Sequence, residues 1–254
     1  MTATAPRDAK VLGALALACS VAYLIVIPLR GRVAWQAQLA VKVLPALLWG
    51  GAVHAGDAPR KHRSSGAFVF YAYGDAFLAC PPLGPNGFTL GLAAFLLGHL
   101  CHISAFGPER DASLSARATG LRVVPYLAVF GGMYGVLWAK LVGALHACVG
   151  LYAAALTGMA ATTAVRSAAA PDSHADSYVS AVVGSTFFLV TDGLLSISHF
   201  KVFGPMPDLT EVAIMGTYFC ALAGLARAKV WASEAAPPSS ATPPYRPLPA
   251  ADAA

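Results

Sequence analysis

The chain has 254 residues, of which 57% are hydrophobic and only 11% are charged. Soluble domains carry about 25% charged residues, so this composition excludes an ordinary soluble domain and indicates that lipid surrounds much of the chain. The net charge is +5, with no run of Lys and Arg interleaved with aromatic residues, and we predict no nucleic-acid partner.

Apolar segments long enough to cross a bilayer, each needing about 20 mostly apolar residues, occur eight times along the chain. In chain order we predict spans at 11–29, 33–54, 66–81, 87–106, 121–139, 141–164, 178–198 and 210–227. The first is interpreted as an anchor rather than a cleaved signal peptide, because it is long and is followed by Arg30 and Arg32. The sequence therefore predicts an all-α, polytopic transmembrane bundle of about eight spans.

Lys and Arg are distributed unequally between the two sides of this predicted bundle. Twelve fall on the side of the N-terminus, four fall on the other side, and Lys42 lies within a span. Because positive loops stay in the cytoplasm, we predict that both termini are cytoplasmic. Residues 1–10 form a short N-terminus, 11–230 the transmembrane domain, and 231–254 a Pro/Ala-rich cytoplasmic tail whose composition is typical of disorder.

Charged residues within predicted spans are few. Asp75, Asp192 and Lys42 lie well inside them, where a charge costs at least a few kcal/mol and is expected to face a cavity or a partner. At ~1.5 Å per residue, these residues, Tyr218 and His99 lie ~9–18 Å from the non-cytoplasmic ends of their spans. Five polar groups from five helices at one depth predict the lining of a single pocket.

Alternatives to that pocket exist for several of its residues. Lys42 could pair with one aspartate only to set helix register. His99 and His102 share a helix face and could in principle bind a metal, but we favour a packing or hydrogen-bonding role for His102 and predict no metal. Tyr126 and Tyr152 are interpreted as core or interface aromatics. The residues alone leave open a membrane enzyme, a transporter and an ion-coupled protein.

Six short segments between about residues 15 and 227 carry a further signal in their order and spacing. They are KVLP from Lys42, GDAFL from Gly74, GLAAFLLGHLCHISAFG from Gly91, VGLYAAALTGMA from Val149, the stretch from Gly184 through Asp192 to Phe200, and MGTYFCALAGLA from Met215. Together they resemble the YhhN-like lysoplasmalogenase family of eight-helix membrane proteins.

The resemblance implies an activity and a set of site residues. Members of the family cleave the vinyl ether bond of lysoplasmalogens, which releases a fatty aldehyde and a glycerophosphoethanolamine or glycerophosphocholine. By motif, the catalytic residues are expected to be Asp75 and Asp192, and Lys42, His99 and Tyr218 to bind the substrate or tune a carboxyl group. We expect a lysophospholipid substrate, contact with membrane lipid, and no cofactor. The expected location is the endoplasmic reticulum membrane in a eukaryote or the inner membrane in a bacterium.

The chain departs from the family pattern at several positions. His102 stands where the family usually has Tyr, and Thr191 where it usually has Ser. The last helix reads Tyr-Phe-Cys-Ala-Leu from Tyr218, where the family commonly has Tyr-Tyr-x-Ala-Gln. The loss of a hydroxyl and an amide leaves room for a different head-group preference or a different substrate.

The expected chemistry matches the predicted pair of carboxyl groups. A vinyl ether hydrolyses by protonation at carbon, which forms an oxocarbenium ion that water captures. One protonated carboxyl is expected to act as the general acid, and a second, ionised carboxylate to activate water and stabilise the cation. The rival hypotheses are a proton-coupled transporter that uses the same acids as a relay and a non-enzymatic lipid-binding membrane protein.

Overall fold

The computed structural model describes residues 7–166, 173–205, 207 and 209–234, and these residues contain eight α-helices. The helices are α1 Arg7–Val26, α2 Trp35–Ala55, α3 Lys61–Ala79, α4 Pro85–Phe106, α5 Ala116–Trp138, α6 Leu145–Ala164, α7 Ser173–His199 and α8 Leu209–Glu234. Short 3-10 turns at Ile27–Arg32, Pro81–Leu83 and Gly107–Glu109 follow α1, α3 and α4. The predicted all-α class with eight helices is confirmed.

Within the described residues, six of the eight helices are long and apolar enough to cross a membrane: α1, α4, α5, α6, α7 and α8. Helices α2, which carries Lys42, and α3, which begins at Lys61 and carries Asp75, are of similar length but are not among these six. The protein is therefore a multi-pass membrane protein. The cytoplasmic location of both termini stays a prediction.

Several helix ends extend past the predicted boundaries because helical hydrogen bonding continues through polar turns that carry no hydropathy signal. Helix α1 begins at Arg7, inside the predicted N-terminal segment 1–10, and α3 begins at Lys61 rather than residue 66. Helix α8 continues to Glu234, four residues into the predicted tail 231–254. The rest of that tail lies outside the described residues.

Helix α8 lies at the centre of the bundle. It packs most extensively against α7 and also contacts α1, α2 and α3, while α3 packs against α4, α4 against α6, and α6 against α7. Fully buried side chains fill the space between them: Phe68, Tyr71, Phe188, Leu222 and Leu225. Helix α5 lies at the periphery, mainly against α6. The predicted site residues are thus carried by α2, α3, α4, α7 and α8, and α5 carries none of them.

The contact between α7 and α8 depends on two glycines. A Cβ atom at Gly224 would lie 2.7 Å from the Cα atom of Gly184, and a Cβ atom at Gly184 would lie 2.7 Å from the backbone nitrogen of Leu225. Small residues let membrane helices approach this closely. Because the opposing atoms belong to backbones, a larger residue requires the helices to move apart.

We expect Gly224→Ala to destabilise the protein by about 1–3 kcal/mol, as for other overpacked interfaces. The matched control is Gly216→Ala on the same helix, where a Cβ atom meets nothing within 4 Å. Since Ala is the better helix former, that control should be neutral or stabilising by up to about 1 kcal/mol. Thermal unfolding of the purified variants in one detergent measures both, and equal midpoints for the two variants would contradict the prediction.

Candidate functional site

The first group of polar residues joins α2, α3 and α8. The ammonium of Lys42 lies 3.9 Å from Oδ1 of Asp75, and the hydroxyl of Tyr218 donates a hydrogen bond of 2.7 Å to Oδ2. Each carboxylate oxygen of Asp75 thus has its own partner. Asp75 is only 2% exposed, so this carboxyl group is enclosed by protein, and Lys42 stabilises its ionised form.

The second group is a hydrogen-bonded chain through α7, α6, α4 and α3. The hydroxyl of Tyr152 donates to the carboxylate of Asp192. The oxygen of Tyr152 lies 3.3 Å from Nε2 of His99. The hydroxyl oxygen of Tyr71 lies 3.0 Å from Nδ1 of His99 and 2.9 Å from Nδ1 of His102. Five side chains therefore connect Asp192 to the end of α4.

Counting the protons that each side chain can donate assigns the donor and the acceptor of every hydrogen bond in this chain. Because Tyr152 has one hydroxyl proton and gives it to Asp192, its oxygen accepts from Nε2–H of His99. A neutral His99 then accepts at Nδ1 from the hydroxyl of Tyr71, whose oxygen accepts in turn from Nδ1–H of His102. Every proton in the chain points toward Asp192. Nε2 of His102, at the far end, is buried without a hydrogen-bond partner among the described residues.

The aromatic ring of Phe188 lies between the two groups. Its centroid is 4.8 Å from that of His99, 4.9 Å from that of Tyr71 and 5.6 Å from that of Tyr218. No hydrogen bond or ion pair joins the two groups among the side chains that the structure describes. The single pocket predicted from depth is therefore divided in two, with Lys42, Asp75 and Tyr218 on one side and Asp192 and His99 on the other.

The two carboxyl groups differ in their surroundings. Asp192 borders a narrow cavity of about 50 Å³ between α5, α6 and α7, and a second one of about 30 Å³ between α4, α6 and α7. Tyr152 and Ser196 also line both cavities, whose other walls are mainly apolar. Each has room for a water molecule. Asp192 is therefore the carboxyl group that a small molecule or a hydrocarbon chain can approach.

A comparison with known proteins identifies the family. The sequence model of the YhhN family matches residues 37–228, well over half of the chain. This chain belongs to the YhhN family. No curated protein and no solved structure matches the chain. The match covers both polar groups, and the family resemblance predicted from the six sequence segments is confirmed.

Two tyrosines of this YhhN protein belong to the second polar group although the sequence did not indicate them. Tyr152 is a core aromatic, as predicted, but its hydroxyl also donates to Asp192. The same depth estimate could have found it, since Tyr152 lies seven residues into α6, or ~10 Å. The same estimate applies to Tyr71, which lies ten residues before the end of the predicted span 66–81, or ~15 Å. Tyr126, also left out of the site, contacts Thr186 at 3.5 Å and joins neither group.

The role predicted for His102 is confirmed. It makes a hydrogen bond to Tyr71, and its ring stacks on that of Phe106 with the centroids 5.6 Å apart. Among the described residues there is no group of three or more His, Cys, Asp and Glu side chains that could hold a metal ion. His99 and His102 are both members of the hydrogen-bonded chain.

A buried charge cluster lies at the end of α4, near His102. Arg166 and Lys229 each lie 2.5 Å from a different carboxylate oxygen of Glu109, and both cations lie over the ring of Phe106. Burial lowers the pKa of the Arg166 guanidinium, and the Glu109 carboxylate opposes that shift. Arg166 and Lys229 are two of the twelve cations counted on the side of the N-terminus, and both are buried, Lys229 fully. The cluster ties together the ends of α4, α6 and α8.

Proposed function

We propose that this protein is a membrane hydrolase that cleaves the vinyl ether bond of lysoplasmalogens to a fatty aldehyde and glycerophosphoethanolamine or glycerophosphocholine. The observation that carries the proposal is the position of Asp192, a carboxyl group beside mainly apolar cavities inside a membrane bundle. Membership of the YhhN family supports it, since the resemblance implies this reaction. An apolar cavity accommodates the alkenyl chain, and the carboxyl group supplies the proton that the reaction requires.

Asp192 is assigned the role of general acid because it borders space for a substrate. Protonated at Oδ1, the oxygen that does not accept the Tyr152 hydroxyl, its carboxyl adds that proton to the second carbon of the vinyl ether, and the adjacent carbon becomes an oxocarbenium ion. The resulting carboxylate then removes a proton from the water that attacks this carbon. The hemiacetal formed in this way breaks into the aldehyde and the glycerol hydroxyl, so atoms and protons balance.

Asp75 is assigned a supporting electrostatic role. Because it is enclosed between Lys42 and Tyr218, its carboxylate has no open path to the substrate in this arrangement. A preorganised negative charge inside a low-dielectric site stabilises a developing cation more than the same charge does in water. Asp75 therefore favours the oxocarbenium ion from behind the Phe188 ring, and Tyr218 and Lys42 hold it in position.

The experiment is an assay of the purified full-length protein, in detergent or nanodiscs, with a lysoplasmalogen. We expect release of fatty aldehyde and the glycerophospho base in equal amounts. The matched control substrate is the saturated alkyl ether, which should remain intact because it has no double bond to protonate. A folded protein that releases no aldehyde, or that cleaves both lipids equally, would overturn the proposal.

One observation favours a second candidate, a proton-coupled carrier. The hydrogen-bonded chain from His102 to Asp192 resembles a relay of the kind that such carriers use. We rank this candidate second because the chain ends at the buried Nε2 of His102, without a described partner on the far side. Proton uptake into liposomes that contain the protein, in the absence of lysoplasmalogen, would support the carrier over the hydrolase.

A further inference from the structure

Two cavities adjoin between α5 and α7 and share their walls. The inner one reaches Asp192, and the outer one, of about 510 Å³, lies on the side of α5 and α7 away from the bundle core. Val129, Met133, Leu189 and Gly193 line both. The two cavities therefore adjoin at these four residues, along a line from the edge of the bundle to the carboxyl group, and their walls are mainly apolar.

Helix α5 presents these cavities to the bilayer. Leu137 is its one buried residue among those described. Leu121, Val124 and Leu127 are 69%, 58% and 53% exposed, as expected for side chains that contact lipid. Pro125, inside α5 and in the wall of the outer cavity, removes a helical hydrogen bond and weakens the helix there. Helix α5 thus has little packing to hold it against α7.

Three positions along α7 follow one another in the same order as the hydrocarbon chain, the reactive bond and the head group of a single-chain lipid. Thr186, in the outer cavity, lies six residues before Asp192, or ~9 Å along the helix. His199, the last residue of α7, lies seven residues after it, or ~10 Å. These distances fit a lipid whose hydrocarbon chain lies near Thr186, whose reactive bond lies at Asp192 and whose polar head group lies near His199.

We propose that one hydrocarbon chain enters from the bilayer between α5 and α7 and occupies the outer and inner cavities, with its first carbons beside Asp192. The inference rests on the proposed function and names the place in the bundle that the alkenyl chain of the substrate occupies. The inner cavity, of about 50 Å³, is too small to hold two hydrocarbon chains side by side.

Gly193 and Val129 offer a way to close this path. A Cβ atom at Gly193 would lie 3.8 Å from Cε of Met133, so Ala makes an ordinary contact there and Leu fills the junction. Val129 is 46% exposed, so Trp at that position enters the outer cavity without disturbing the core. Val124→Trp is the matched control on the same helix, because Val124 lines neither cavity.

The activity test compares chain lengths in these variants. Gly193→Leu and Val129→Trp should each lower turnover of a long-chain lysoplasmalogen at least about 10-fold, since misfitting even one methylene can cost that much. Gly193→Ala should lose less turnover than Gly193→Leu, and Val124→Trp should match the wild type. In the two blocking variants, turnover of a vinyl ether with a chain of about four carbons should fall less than turnover of the long-chain substrate. Equal loss for short and long chains, or none in either blocking variant, would overturn the proposal.

A binding test separates this inference from the hydrolase itself. The probe is an alkyl-ether lysophospholipid with a photoactivatable group at the chain end, which cannot be hydrolysed as a vinyl ether. Cross-links mapped by mass spectrometry should fall on α5 and α7, disappear in Val129→Trp and compete with an unlabelled single-chain lipid but not with a two-chain phospholipid. Cross-links confined to other helices would overturn the chain path. The expected cross-links without aldehyde release would leave the path standing and refute the proposed function.

Discussion

Replacing Asp192 with Asn is expected to lower lysoplasmalogen turnover at least about 100-fold, the lower end for general acid–base catalysis. The amide keeps the size of the side chain and can still accept the hydroxyl of Tyr152, but it neither gives nor takes a proton. Folding and membrane insertion should therefore be close to normal. Aldehyde release at saturating substrate measures the loss, and a folded Asp192→Asn protein with near wild-type turnover would refute the mechanism.

Asp75→Asn should lose activity to a similar extent, because the charge that stabilises the oxocarbenium ion disappears. The double variant should be scarcely worse than the poorer single variant, since groups that act as one unit are not additive. Asp57→Asn is the control, because that side chain is 81% exposed and pairs only with Lys61 nearby. Losses that multiply in the double variant would show that the two carboxyl groups act independently.

Replacing Glu109 with Gln is expected to destabilise the protein by about 3–5 kcal/mol, the cost of leaving a buried charge without its partner. The carboxylate of Glu109 holds Arg166 and Lys229 together, and these two cations repel each other once the negative charge is gone. The midpoint of thermal unfolding should fall by on the order of 10 °C. Turnover of the protein that remains folded should change little, because Glu109 contacts neither polar group.

The same control serves this second prediction. Asp57→Asn removes an exposed ion pair with Lys61, which contributes at most about 1 kcal/mol. Both variants remove one carboxylate, so they differ chiefly in the burial of the cations left behind. An unfolding midpoint for Glu109→Gln equal to that of Asp57→Asn would show that the cluster is not needed to hold the ends of α4, α6 and α8.

The all-helical class and the number of helices were predictable from the sequence because both depend on local composition. A membrane span is a run of about 20 apolar residues, and such runs are visible without knowing what they pack against. The helix ends were less predictable. Lys61 at the start of α3 and Glu234 at the end of α8 are helical, because the backbone hydrogen bonds of a helix continue past the apolar run that marks a span.

By itself, the sequence also identified Asp75, Asp192 and Lys42 as charges that require a partner or a cavity, since burying a charge in a membrane is costly wherever it lies. Which partner each one has was decided by the tertiary structure. Tyr152 is bound to Asp192 across 40 residues and Tyr218 to Asp75 across 143, and no local pattern specifies such distant pairs. Depth along a helix gives one coordinate of a side chain, whereas a shared pocket also depends on how each helix is rotated about its own axis. That rotation is set by packing, and it divided the predicted pocket into two groups.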